Sequence, residues 1–304
     1  MDTMNELSGV VIVDKHKGVT SHDIVFKMRR LFGTKKVGHT GTLDPMATGV
    51  LPILIGRSAK ASEYLTAEDK GYIAEITLGI TTDTDDITGN VLSKCDTLPD
   101  KNAFFKACEN FVGDIEQVPP MYSALKVNGQ KLVDLARQGI EIERQARKIK
   151  ISSIVPELVD EARGIYRISV ECSKGTYIRT LCHDIGEYLG CGATMSALRR
   201  TKSGNFTLDN SHTIEQIEQM SEEERASLIV PCEMLFSDLD KVVLSDFYAR
   251  LCRSGCEIYQ SKIRTSLPLG TRVRMCDKNG FFALGEVRDY QDGTAIKAIK
   301  LFVL

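Results

Sequence analysis

Apolar residues along this chain change spacing repeatedly, from every second residue to helical intervals and back. They do so without the even strand–helix–strand cadence of a doubly wound sheet. "GVVIVDKHKGVTS" (9–21) reads as a buried strand, a glycine turn and a helix opening with Ser21 as N-cap, and "HDIVFKMRRLF" continues as an amphipathic helix. "KGYIAEITLGITTDTDDITGNVL" (70–92) alternates like a half-buried strand, turns through Thr, Asp and Gly, and ends in a short strand. "KNAFFKACENFVGDI" reads as a helix. "ARKIKISSIVPELV" and "YRISVECSKGTYIRTLCHDIGEYLG" read as strands followed by a helix, and "GATMSALRRTKSGNFTL" as loop and strand. "EQVPPMYSALKVNGQKLVDLARQG" opens extended at Pro-Pro, turns at Asn128-Gly129 and closes in a short helix that stops at Gly139. This mixture predicts an α+β fold.

At 304 residues the chain has room for two domains. The segment 211–240 is helical and acidic and reads as a boundary. Past Lys241 the pattern is short strands with Gly turns, fitting a small β-rich domain. The expected division is 1–238 and 239–304.

Several classes of function are excluded. The nine cysteines are odd in number and irregularly spaced, with no Cys-x-x-Cys, which predicts free thiols in a reducing, cytoplasmic setting. The five histidines do not pair with cysteines at zinc spacing, so no metal is expected. No apolar run is long enough for a membrane helix, and the N-terminal segment lacks the pattern of a signal peptide. No Gly-x-Gly-x-x-Gly opens a helix and no Walker loop occurs, so no nucleotide cofactor is expected. "DTDDITGN" (83–90) resembles a calcium loop but lacks its ligand ladder and closing Glu, and reads as an Asp-rich turn.

Net charge is −2, but it is unevenly spread. From Lys15 to Lys60 nine Lys or Arg face two acids, and from Lys241 onward eleven basic residues face six acidic ones. A basic face on a near-neutral protein suits a phosphate-backbone binder, although a solvated helix face gives the same pattern.

The stretch "GHTGTLDPMATGVLP" (38–52) places one carboxylate, Asp44, amid turn residues and directly before a proline. Asp-Pro commonly starts a turn, and nothing more is required of it. Yet His39 shares this loop, and Tyr72, Tyr177 and Arg179 lie in other loop-flanked stretches. A carboxylate can act as a nucleophile at a sugar carbon or polarised ring, and needs an Arg or other donors to stay ionised and aimed. Chemistry on a nucleobase requires the base to leave its stack and sit against an aromatic ring.

At this point the chain resembles a family, the bacterial tRNA pseudouridine-55 synthases (TruB family). "GHTGTLDPMATGVLP" is similar to the family's catalytic motif. The likeness continues in order through "VDKHKGVTSHD", "AKASEYL", "KGYIAEITLGITTDTDD", "QVPPMYSALKVNGQKLVDLAR", "CSKGTYIRTLCHDIG" and "GATMSALRRTKSGNF". It covers about residues 9–210, and the basic tail looks like the family's PUA-type RNA-binding domain.

The resemblance implies a mixed-sheet pseudouridine synthase fold and a cofactor-free isomerisation. The uracil is detached from its ribose, rotated and rejoined through carbon 5. It implies Asp44 as nucleophile, Arg179 as its partner and Asp86 sharing that arginine. Tyr72 is implied to stack on the flipped base and serve as general base. His39 would prop the flipped stack of the T loop, and Tyr177 and Leu198 would line the substrate pocket. Lys15 and Lys60 would contact phosphate. An insertion of about 119–147 would clamp the RNA, with Lys126, Lys131, Arg137 and Arg144 meeting phosphates. The expected partner is the tRNA T stem-loop, with no guide RNA, and the expected state is a monomer. The family's Lys-Pro-x-Gly is here Lys15-His16-Lys17-Gly18, a departure that loosens the turn without removing a reactive group. Two other readings compete: a tRNA-binding or folding chaperone with chemistry secondary, and the guide-RNA-dependent class.

Overall fold

The computed structural model of the chain describes residues 7–65, 69–127 and 129–302. The expected turn residue Asn128 lies outside them.

The apolar strand pattern builds one nine-stranded mixed sheet. Its main path runs Gly9–Lys15, Thr48–Ile55, Ala193–Ser203, Lys70–Leu78, Ile165–Cys172, Arg147–Asp160, Gly113–Gln117. All neighbours on this path are antiparallel except Thr48–Ile55 with Ala193–Ser203, which run parallel. Two neighbouring strands, Lys70–Leu78 and Ala193–Ser203, carry Tyr72, Leu198 and Arg200. Tyr72 stands opposite Arg200 and Ala74 opposite Leu198 in the ladder. Because side chains alternate, Tyr72, Leu198 and Arg200 share one face, which packs into the core with Ile76, Leu181 and Ile185.

The helix Ser21–Leu31 buries Ile24, Val25 and Met28 at helical spacing. Its N-cap is Thr20, not Ser21: Thr20 accepts the Asp23 amide while Asp23 accepts the Thr20 amide, a complete capping box. Ser21 is thereby free for a different task. Its hydroxyl accepts the Leu43 amide at 2.8 Å and donates to the Leu43 carbonyl at 3.1 Å, pinning the Asp44 loop to the helix start.

The helix expected over residues 101–115 stops at Glu109. Gly113 then takes φ +113, and Gly113–Gln117 pairs as an edge strand with Arg147–Ile151. The insertion holds a short helix, Leu132–Ala136, and Gly139 is left-handed at φ +72 as its stop.

A five-stranded sheet follows, ordered Asp240–Val243, Arg272–Asp277, Gly280–Tyr290, Gly293–Leu301, Ile258–Tyr259. It has its own core around Val273, Phe282 and Ile296. A third cluster joins it to the large sheet, where Phe236, Leu284 and Phe302 meet Val10, Ile12, Val50 and Leu54. Among the described residues no helix is long and apolar enough to cross a membrane.

Candidate active site

Asp44 closes a tight turn. Its carbonyl accepts the Ala47 amide at 3.0 Å across Pro45 and Met46, and proline at the second position presets such a turn. The turn reading of Asp-Pro is therefore correct for the backbone, and the side chain is left for another purpose. Three further ties fix the loop. Besides Ser21 below Leu43, the Gly18 amide donates to the Pro45 carbonyl at 2.8 Å. Lys15 then donates its ammonium to the carbonyls of Ala47 at 2.7 Å, Pro45 at 3.4 Å and His16 at 3.0 Å.

Lys15 is fully buried, so the phosphate contact expected of it is not available; its cation is a strut for the Asp44 loop. Burial pulls it down to about 8, with Asp44 opposing that fall. These bonds also replace the missing proline of Lys15-His16-Lys17-Gly18. Gly18 makes the turn at φ +92, and His16 bonds the Lys17 carbonyl at 2.9 Å.

The Asp44 carboxylate meets Arg179, Oδ2 to Nε at 3.0 Å. Arg179 is 6 % exposed in the first turn of the helix Ile178–Tyr188. Its Nη1 donates to the Thr84 carbonyl at 3.1 Å and lies 3.6 Å from Asp86 Oδ2, and its Nη2 donates to the Tyr122 carbonyl at 2.8 Å. Asp86 is itself aimed by Thr84 and Thr88, whose hydroxyls donate to its Oδ1. The Asp-rich turn thus delivers Asp86, and Asp83 only ties the turn to Asn90.

Burial raises the Asp44 carboxyl above the usual carboxylate range, and Arg179 pulls it back down; Asp86 pushes it up and Lys15 lowers it. The carboxylate keeps 35 % of its side chain open, so a substrate can reach it.

Tyr72 is buried and hydrogen-bonds Arg200, and burial holds its phenol above the ordinary tyrosine range. Arg200 was not anticipated from sequence. It is 1 % exposed and donates to the Val50 carbonyl at 2.7 Å and the Gly41 carbonyl at 3.2 Å, so it spans both ends of the Asp44 loop. Its proximity to Leu198 in "SALRRTK" was the available signal. His39 is half-buried, its Nδ1 accepting from the Gly41 amide at 3.3 Å, and burial with Arg200 beside it lowers its basicity.

Tyr177 caps the Arg179 helix, and Gln117 grips its backbone from both sides at 2.8 and 3.0 Å. Burial raises the Tyr177 phenol, while Ser123 and nearby arginines lower it. Leu198 is 8 % exposed on the core face.

The peripheral basic residues divide. Lys126, Lys131 and Arg137 are exposed on the insertion, whereas Arg144 folds back onto Glu141 at 3.2 Å. Lys60 is exposed and reaches the Leu301 carbonyl at 3.4 Å, bridging to the last strand of the small sheet. Lys27 of the basic run pairs with Glu218 of the acidic segment at 3.3 Å, so that face is partly neutralised within the fold. Among the described residues no group of three or more His, Cys, Asp or Glu is placed to hold a metal ion.

Residues 29–178 match the family model of the TruB family pseudouridylate synthase N-terminal domain, and residues 179–244 that of the tRNA pseudouridylate synthase B C-terminal domain. The tRNA pseudouridine synthase B of Clostridium tetani is 41% identical over 298 residues, covering 98% of this chain and 100% of that protein. The tRNA pseudouridine synthase B of Bacillus velezensis is 46% identical over 280 residues, covering 90% and 91%. Among solved structures, a chain of a Cbf5-Nop10-Gar1 complex is 27% identical at TM-score 0.75, covering 99% of this chain and 86% of that one. A chain of an H/ACA RNP bound to a substrate RNA containing 2'-deoxyuridine is 25% identical at TM-score 0.73, covering 99% and 87%.

Proposed function

The chain belongs to the TruB family of pseudouridylate synthases, and from that premise we propose that it converts uridine 55 in the T loop of tRNA to pseudouridine with Asp44 as nucleophile. Its relatives are tRNA pseudouridine synthases over nearly the whole length, so the chain is an isomerase acting on tRNA. The observation that carries the assignment to Asp44 is a single carboxylate, open to substrate, held 3.0 Å from a buried arginine.

The bond from ribose to uracil N1 breaks and the bond to C5 forms; C5 loses its hydrogen and N1 ends protonated. No redox equivalent enters or leaves. Asp44 either attacks the ribose carbon or removes a ribose proton on the way to a glycal. In both routes it must be ionised, and Arg179 supplies the opposing charge. The uridine must leave its stack to reach that carboxylate. Tyr72, with Leu198 on the same sheet face, is our assignment for the surface that receives the base, and Tyr177 for the pocket wall. His39, poorly basic in its half-buried position, is our assignment for the prop of the loop the base vacates.

The exposed Lys126, Lys131 and Arg137 of the insertion support a grip on the RNA stem by the protein itself, without a guide RNA. We place the boundary of a PUA-like RNA-binding domain near residue 238, just before the five-stranded sheet begins at Asp240. We assign the protein to the cytoplasm as a monomer, the nine free thiols supporting a reducing compartment.

The test is a bare, unmodified tRNA transcript with purified protein and a chelator, and no other RNA. One new pseudouridine in the T loop is expected. Binding without pseudouridine would favour the chaperone reading, and activity only after a guide RNA is added would favour the guided class.

A further inference from the structure

A cavity of about 570 Å³ is lined by Thr84 and Tyr122, whose carbonyls hold Arg179. It is bounded by the Thr81–Asp85 turn, the insertion and the exposed side of the Ile178–Tyr188 helix. His183 sits in its wall, one helical turn after Arg179 and therefore above the same patch of neighbouring chain. The two residues grip one turn. Arg179 takes the Thr84 carbonyl and faces the Asp86 carboxylate, while His183 Nδ1 lies 3.6 Å from Asp85 Oδ1. That ring nitrogen is shielded from solvent, and among the described residues it has no hydrogen-bond partner.

Asp85 is the strained member. It takes φ +60, a left-handed conformation costly for a side chain with a Cβ. Its amide bonds the Thr82 carbonyl at 3.3 Å and its carbonyl accepts the Met195 amide at 3.1 Å, so the backbone on each side is held. This conformation splays three successive residues: Thr84 and Asp86 toward Arg179, and Asp85 toward His183.

We propose that His183 is a positioning residue: paired with Asp85, it clamps the Thr84–Asp86 turn onto Arg179 and so fixes the guanidinium that faces Asp44. The inference rests on the reading of Asp44 and Arg179 as the reacting pair. Charge makes the clamp directional. His183 faces Asp83 and Asp85 from the turn, Glu141 and Arg144 from the insertion, and Asp184 and Glu187 from its own helix. Asp83 is taken up by Asn90, and Arg144 by Glu141. A cation at position 183 therefore holds Asp85 against the repulsion of Asp86, and an uncharged ring does not. Burial raises the Asp85 carboxyl, and His183 is the foremost neighbour that lowers it.

Single-turnover pseudouridine formation on saturating tRNA transcript tests this in the full-length chain. His183→Asn should slow the step by about ten- to a hundredfold, the scale of a slightly misplaced reacting group, with tRNA affinity unchanged. His183→Lys, which keeps a cation opposite Asp85, should regain most of the rate. Asp85→Asn removes the other partner and should match His183→Asn, which keeps the test open if one variant fails to fold. His183→Asn at wild-type rate, or Asn and Lys variants equally slow, would overturn the inference while leaving the proposed function intact. Wild-type protein that forms no pseudouridine would take down both.

Discussion

Asp44 and Arg179 meet at one point, Oδ2 to Nε at 3.0 Å, while the outer nitrogens of the same guanidinium are tied to the carbonyls of Thr84 and Tyr122. The arginine is fixed by backbone from two segments, and the carboxylate is aimed by what the arginine cannot do: move. A lysine keeps the charge but not the fork. Arg179→Lys should therefore cost about 10²–10³ in the rate of pseudouridine formation, the scale of losing one preorganised charge contact. Filter binding of tRNA should be unchanged.

The Asp44 carboxyl is raised by burial against the pull of Arg179. If Asp44 is the nucleophile, as proposed, it must be ionised, so the acid limb of the single-turnover rate should lie above the ordinary aspartate range. Arg179→Met should move that limb to higher pH. The same shift has a stability consequence. Folded Asp44 holds its proton to higher pH than unfolded Asp44, so across that interval stability falls as pH rises. Asp44→Asn should thus melt above the wild type at neutral pH, with the gain shrinking toward pH 4.

Lys15 lies in the most basic stretch of the chain but is buried on three carbonyls. A lost phosphate contact lowers the salt slope of RNA binding by about one, roughly uniformly across sequences. Lys15→Met should leave that slope unchanged and slow the reaction, because the loop bearing Asp44 loosens. Binding isotherms at several salt concentrations check the first part, and single-turnover rates the second.

Gly49 takes φ +104 where the strand Thr48–Ile55 runs parallel to Ala193–Ser203, and a Cβ there would collide with the Arg200 backbone. Gly49→Ala combines left-handed strain of about 1–3 kcal/mol with that collision. It should lower the urea midpoint sharply and separate Arg200 from the Val50 carbonyl, so activity falls with stability.

Much of the placement around Asp44 was legible because the residues sit in locally recognisable elements. The Asp44 motif, the Tyr72 strand and the "GTYIRTL" helix start each carry their residue within a recognisable element. What was not legible depends on contacts between distant segments. Lys15 was expected to contact phosphate because nothing local reveals that Ala47 and Pro45 close over it. Arg200 reads as one more basic strand residue, although the sheet order puts it opposite Tyr72 and beneath both ends of the Asp44 loop. Ser21 and Thr20 both suit a cap, and only the fold shows that Leu43 claims Ser21. The helix expected to reach residue 115 ended early because pairing with Arg147–Ile151 outcompeted local propensity. The small sheet was read correctly as β-rich, but its seam through Phe236 and Phe302 onto Val10 and Val50 has no local signature.

The most direct measurement sets the wild type beside Asp44→Asn on the same unmodified tRNA transcript, with pseudouridine mapped by chemical labelling and primer extension and tRNA affinity measured in parallel. The account predicts one modified T-loop uridine with the wild type, none with Asp44→Asn, and equal affinity for both. Pseudouridine from Asp44→Asn, or loss of binding together with activity, would contradict the role given to Asp44.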